Sequence, residues 1–297
     1  MAVKKSVQLS GIVPPLLTAF DRQGNVDEKA QREVVSFLKQ RVQGFYVCGT
    51  YGSGPLMEVA QRKQVTEIVI DEVGGAIPVV VHVGAPATAD SVELAKHAQE
   101  AGAVAVAAVP PYYFPHKEEQ VLFHFQRLIE SVGLPVLIYN NPKTTGFSVT
   151  PAFLNQLAKA GLKGVKDSSF SVMTFYDYLR TVELDDFAFI VGTEAFILPT
   201  VAMGAEASVS GLGNAIPEPV VELFDAVKRG DMERARPLQF KVLALRDILH
   251  YGSSIAVVQA ILKERGVNSG YPRMPFQAID ESLRQKVVAA LKRFDVL

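Results

Sequence analysis

Lys166 closes the short apolar run 162–166 and is followed at once by the polar residues Asp167, Ser168 and Ser169. An ammonium at such a boundary is partly desolvated, and desolvation lowers a lysine pKa. A lysine that is free amine often enough attacks a ketone and forms a Schiff base. The competing reading is a strand-end lysine paired with a carboxylate such as Asp167, because structural ion pairs also perturb pKa. Tyr139 ends another apolar run, 136–139, and a phenol with a hydrogen-bonded partner can both donate and accept a proton. Thr50 is a candidate for that partner. The glycine-rich turn 49–54 leaves backbone N–H groups free for an anion-binding nest, suited to a carboxylate as well as a phosphate. Singly, each has an ordinary explanation: a tight turn, a core tyrosine, or, for Tyr112 and Tyr113, rim aromatics. Their conjunction is what argues for chemistry.

The elements that must position these groups are short apolar runs, most of them Val/Ile-rich, alternating with longer helical patterns. The runs are 12–17, 45–48, 79–83, 104–109, 136–139, 164–166, 187–191 and 207–209. They are too short for buried helices and read as strands covered on both faces. Between them lies helix punctuation. Asp90 to Glu93 reads as an N-cap with a capping glutamate, with Gly102 as the stop, and Thr150-Pro151 opens another helix. Eight strand–helix units specify a parallel sheet, and eight is the number that closes a (β/α)₈ barrel. An open doubly wound sheet is disfavoured because no Gly-x-Gly-x-x-Gly follows the first strand. The expected fold is therefore α/β: a TIM barrel over residues 1–214 and a C-terminal helical appendix over 215–297. The appendix helices are expected near 220–229, 232–250, 255–265 and 281–294. In such a barrel, chemistry sits at the C-terminal strand ends. That rule gathers Gly49, Thr50 and Tyr51 after the second strand, Tyr139 on the fifth and Lys166 on the sixth. Gly192 and Glu194 follow on the seventh, and Val209 on the eighth.

The bulk composition narrows the classes. Of 297 residues, 48% are hydrophobic and 21% charged, with 30 basic against 31 acidic side chains. Such a balance suits a globular chain and supplies no field for nucleic acid or an anionic membrane. A single cysteine, Cys48, excludes an intrachain disulfide framework. With no signal-like or bilayer-spanning apolar run, the expected location is the cytoplasm. The five histidines are scattered, with no pair at the spacing that puts two metal ligands on one helix face.

With these residues in place, the chain resembles the dihydrodipicolinate synthase and N-acetylneuraminate lyase superfamily of class I, pyruvate-dependent aldolases. The resemblance runs from Gly11 to about Phe294. It rests on Gly49-Thr50-x-Gly-x-Gly-Pro55, Pro111-Tyr112-Tyr113, Tyr139-Asn140-x-Pro142 and Gly164-Val165-Lys166-Asp167. It implies a Schiff base between pyruvate and Lys166, proton transfer by Tyr139, and a link through Thr50 to Tyr113 reaching in from a neighbouring subunit. It also implies a homotetramer built as a dimer of dimers, with no metal or organic cofactor. Locally the chain is most similar to 2-keto-3-deoxygluconate aldolases, which share the first-loop pattern and the late Gly270-Tyr271-Pro272-Arg273. Glu194 and Ser253 then fall where sugar hydroxyl contacts belong.

Two departures bear on the substrate. Where the synthases carry an arginine after the Tyr-Asn-x-Pro motif, this chain has Thr144, which disfavours a dicarboxylate product. Where most relatives have threonine, it has Tyr51, which keeps the backbone N–H but loses a short hydroxyl on the pyruvate carboxylate and puts a ring near the site. The expected activity is reversible cleavage of a 2-keto-3-deoxy sugar acid to pyruvate and a small aldehyde. The alternatives are condensation of pyruvate with aspartate semialdehyde, dehydration of a sugar acid, or a non-catalytic keto-acid binding protein.

Overall fold

The computed structural model describes residue 7 and residues 9–297. Eight strands form one parallel sheet: β1 (Gly11–Ile12), β2 (Phe45–Val47), β3 (Val79–His82), β4 (Ala105–Ala108), β5 (Val136–Asn140), β6 (Gly164–Asp167), β7 (Ala188–Val191) and β8 (Ala207–Ser208). Each pairs with its sequence neighbour from β2 to β8, and β1 returns to pair with β8. The seam between β1 and β2 is closed by a parallel bridge from Pro15 to Tyr46, where Leu16 N donates to Tyr46 O and Tyr46 N to Pro14 O. The result is the eight-stranded barrel read from the sequence. The first strand is shorter than the run 12–17 because Pro14 and Pro15 have no amide to donate, so the ladder thins while the chain stays extended.

Helices alternate with the strands: α1 (Glu28–Leu38), α2 (Val59–Val73), α3 (Thr88–Ala101), α4 (Glu118–Ser131), α5 (Pro142–Thr145), α6 (Pro151–Lys159), α7 (Val172–Thr181) and α8 (Ile197–Ala202). Thr150 caps α6 as expected, its hydroxyl accepting from Phe153 N, and Gly102 ends α3 at φ 102°. The start of α3 differs from the sequence reading. The helix begins at Thr88, so Asp90 lies in its first turn and not at the cap, while Ser91 accepts the amide of Ala85 and ties that turn to the preceding loop. Four further helices follow: α9 (Pro217–Lys228), α10 (Met232–Leu249), α11 (Ser254–Glu264) and α12 (Glu281–Lys292), each within three residues of its expected bounds. Their apolar faces join the layer outside the barrel, so Val220, Leu245, Val258 and Leu291 share one core with Phe45, Ile138 and Val165. Among the described residues, no helix is long and apolar enough to cross a membrane.

The barrel interior is a second cluster. Alternation along each strand points Tyr46, Val80, Ala105, Ala107, Leu137, Tyr139, Ala188, Ile190, Ala207 and Val209 inward. Four of these are alanines, and that economy of volume leaves room for two tyrosines and a lysine.

Candidate active site

Lys166 projects into that interior from β6, in register with Tyr139 on β5 and Ile190 on β7. It is 2% exposed. Its Nζ makes no hydrogen bond or ion pair among the described residues. It lies instead 4.0 Å from the ring centroid of Tyr46 and 3.8 Å from that of Tyr139. Burial holds its pKa well below the ordinary lysine value, which favours the free amine over the ammonium. The alternative pairing with Asp167 does not occur. Asp167 is one residue on and faces the other side of the sheet. There it accepts from Asn140 Nδ2 at 2.7 Å and Ser169 Oγ at 2.7 Å, and Asn140 Nδ2 also donates to Tyr178 Oη. Alternation thus gives the barrel an uncompensated amine inside and a satisfied carboxylate outside.

Tyr139 is buried, and its pKa is pushed up by that burial. Asn141 Nδ2 donates to its oxygen at 3.0 Å, and Thr50 Oγ1 lies 3.5 Å away. Because the phenol oxygen already accepts from Asn141, its proton is free to point toward Thr50 or a bound ligand. Thr50 and Tyr51 sit in the loop after β2, which folds back through Ser53 N to Thr50 O and Gly54 N to the buried Gly49 O. The amides of Thr50 and Tyr51 take no part in those turns and make no hydrogen bond among the described residues.

The Tyr51 ring does not fill the space over Lys166. It lies against Gly211 after β8, where a Cβ would meet its hydroxyl oxygen at 2.5 Å. Its phenol is enclosed between Ser254 and Glu194 and is raised by burial and by that carboxylate. Glu194 is buried after β7. Ser210 Oγ donates to its Oε2 at 2.9 Å, Arg246 Nε reaches its Oε1 at 3.3 Å, and Gln239 Nε2 donates to its carbonyl at 3.1 Å. The last two side chains come from α10, so the appended helix fixes a wall of the barrel mouth.

The other candidates divide. Gly192 packs so tightly on the end of β6 that a Cβ would lie 2.0 Å from Ser168 Oγ and 2.7 Å from Asp167 O. Val209 is buried in the interior cluster, and Ser253 occupies the N-cap position of α11 without a side-chain capping bond, beside the Ser254 that faces Tyr51. Thr144 lies on α5, its hydroxyl donating back to Asn141 O. Tyr113 stands apart from the chamber's hydrogen bonds. It is 86% exposed, edge-on to Phe114, and held at φ 82°, a strained backbone for a tyrosine of the kind that collects at functional sites.

Sequence reasoning missed three members. Tyr46 and His82 line the chamber beneath Lys166, and together with Tyr139 they form a triangle of rings with all three centroid separations 6.0 Å. Arg246 is the third. Strand parity was the available signal for the first two, since Tyr46 is in register with inward Val80, and His82 lies two residues beyond it.

Comparison with known proteins gives the family. Residues 8–294 match the model of the dihydrodipicolinate synthetase family, and the chain belongs to that family. It is 33% identical over 294 residues, 98% of both chains, to 4-hydroxy-tetrahydrodipicolinate synthase of Methanopyrus kandleri. It is 35% identical over 243 residues, 80% of this chain and 81% of the other, to a probable 2-dehydro-3-deoxy-D-pentonate aldolase of Escherichia coli. Among solved structures it superposes with a TM-score of 0.93 at 26% identity, covering 98% of this chain and 100% of the other, on an Escherichia coli prophage protein of the same family in complex with pyruvate.

Proposed function

We propose that the protein is a Schiff-base-forming, pyruvate-dependent aldolase that cleaves a 2-keto-3-deoxy sugar acid to pyruvate and a small aldehyde. The observation that carries this reading is the buried, unpaired amine of Lys166 beside the Tyr139 phenol. The amine adds to the C2 ketone, and loss of water leaves an iminium. Tyr139 takes the proton of the C4 hydroxyl, and the C3–C4 bond breaks, its electron pair flowing into the iminium to give an enamine as the aldehyde departs. Protonation of the enamine at C3 and hydrolysis of the regenerated iminium then release pyruvate and restore the amine. The unengaged amides of Thr50 and Tyr51 receive the keto-acid carboxylate. Those amides survive the change of side chain at Tyr51, whose ring is turned onto Gly211.

The sugar-acid assignment is supported by Glu194, whose buried oxygens retain lone pairs for substrate hydroxyls beside Ser210 and Arg246. Thr144, in place of an arginine, offers no cation to a second carboxylate. The pentonate aldolase relative supports the same class. The similarity to a 4-hydroxy-tetrahydrodipicolinate synthase favours a second reading, condensation with aspartate semialdehyde. A panel of aldehydes with pyruvate, analysed by product identification, separates them. Glyceraldehyde or glycolaldehyde is expected to be the faster acceptor, and faster turnover of aspartate semialdehyde would overturn the sugar-acid assignment.

We further propose a cytoplasmic homotetramer in which the exposed Tyr113 of one subunit completes a neighbour's Thr50–Tyr139 relay. Light scattering is expected to give four times the chain mass of 32.3 kDa. A fully active monomer would remove Tyr113 from the mechanism.

A further inference from the structure

We propose that Tyr46 acts on the reacting nitrogen itself: its ring face, with that of Tyr139, stabilises the cationic Schiff base formed on Lys166. The proposal rests on the lysine chemistry above and adds the question of what solvates the positive charge which that chemistry creates.

Lys166 Nζ sits in the corner of two rings whose planes meet at 77°, over the face of each, at 4.0 Å and 3.8 Å from their centroids. The chamber supplies no carboxylate at this point. A carboxylate would hold the lysine as ammonium and remove the nucleophile. Burial without one keeps the amine free, yet the iminium that follows is a cation in the same dry place. An iminium nitrogen has a single N–H, so hydrogen bonds can do little for it. The negative face of an aromatic ring attracts a cation without a matched acceptor, and more strongly in a desolvated setting. Ring faces attract a cation more weakly than a carboxylate would, so burial still favours the free amine before the reaction while the iminium is not left wholly unsolvated once it forms.

Tyr46 is separated from Tyr139 by what its hydroxyl does. The Tyr139 oxygen is engaged by Asn141 and approached by Thr50, whereas Tyr46 Oη is buried and has no hydrogen-bond partner among the described residues. Burial raises the Tyr46 pKa well above the ordinary phenol value, so it remains protonated. Its hydroxyl lies outside the relay, and what it presents to the lysine is the ring. His82 supports this arrangement. Its Nε2 accepts the amide of Val109, so its proton is on Nδ1, and burial and the charge of Arg62 hold its pKa well below the usual value. The imidazole stays neutral and packs against both tyrosine rings, edge-on to Tyr139 and tilted at 40° to Tyr46, without placing a competing positive charge under the iminium. The Arg62 guanidinium donates to the carbonyls of His82 and Gly84.

The test replaces Tyr46 with phenylalanine and then with phenylalanines of increasing ring fluorination. The series preserves shape and progressively drains the negative ring face. The readout is the pyruvate concentration dependence of borohydride trapping on Lys166. Tyr46→Phe is the reference point of the series and is expected to fold at least as stably as the unmodified protein, because it removes only an unpaired buried hydroxyl and keeps the ring face. Fluorination is expected to weaken iminium formation stepwise, reaching about tenfold for the fully fluorinated ring. Trapping independent of fluorination would overturn the role of the ring. A loss in Tyr46→Phe as large as in the fully fluorinated ring would overturn it in favour of the hydroxyl. No adduct in the unmodified protein would remove the lysine chemistry and this proposal with it, so the failure of one is distinguished from the failure of both.

Discussion

Lys166→Met is expected to abolish turnover and at the same time make the protein more stable. The first effect follows from removing the nucleophile, worth about four orders of magnitude or more in rate. The second follows from burial. The amine is 2% exposed with no partner among the described residues, and a polar group enclosed in that way costs about 1–3 kcal/mol. Methionine fills the same channel between Tyr46, Tyr139 and Ile190 without that penalty. The pH dependence carries the same information. In the unfolded chain a lysine takes up its proton below about pH 10.4. In the folded chain burial has lowered that value well below the ordinary one. Between the two the unfolded state binds more protons, so this residue's contribution favours folding increasingly as pH rises through the window. It is lost as pH falls toward the folded pKa. Urea midpoints measured for Lys166→Met and the unmodified protein from pH 6 to 10 should therefore diverge toward low pH and converge toward high pH. A less stable variant whose deficit is constant with pH would show that the amine is not buried as a free base.

How much of this was legible without coordinates depended on whether the signal was local. Lys166 and Tyr139 ended the short strand-like runs 164–166 and 136–139, so a rule about strand ends sufficed to place them on one face. The helices from Pro217 onward carried helical periodicity and were readable to within a few residues. The first strand was over-read because a hydrophobic run conceals what Pro14 and Pro15 do to a hydrogen-bond ladder. The start of α3 was misplaced because the residues from Asp90 to Glu93 imitate a capping box, while the hydroxyl of Ser91 is in fact committed to Ala85 N. Within the site, Tyr46 and His82 were hidden by the shortness of their strands. Three or four residues covered on both faces show no polar alternation, and only the pairing register reveals which of them point inward. Arg246 was beyond local reading altogether, since its partner Glu194 lies on another element and the two meet only when α10 folds over the barrel mouth.

Tyr139→Phe should separate chemistry from binding. The substitution keeps the ring face over Lys166 and removes only the oxygen that accepts from Asn141 and approaches Thr50. Iminium formation with pyruvate should therefore still be trapped by borohydride, though more slowly. Cleavage of the C3–C4 bond has lost the group that takes the C4 hydroxyl proton and should fall by about two to three orders of magnitude in kcat, the usual worth of a positioned acid–base group. KM should change much less, because the keto-acid carboxylate is assigned to the amides of the loop after β2. Burial keeps the phenol protonated well past neutrality, so the residue starts the cycle as a donor. It becomes an acceptor only by passing its own proton along the Thr50 side as it takes one from the substrate. The 3.5 Å separation from Thr50 must then tighten when ligand binds. Thr50→Val, which leaves the phenol in place and cuts the outlet, should accordingly cost less than Tyr139→Phe, and the double variant should cost little more than the phenylalanine alone. Strict additivity of the two losses would mean that the groups act independently. Turnover unchanged in Tyr139→Phe would assign the proton transfer to another group.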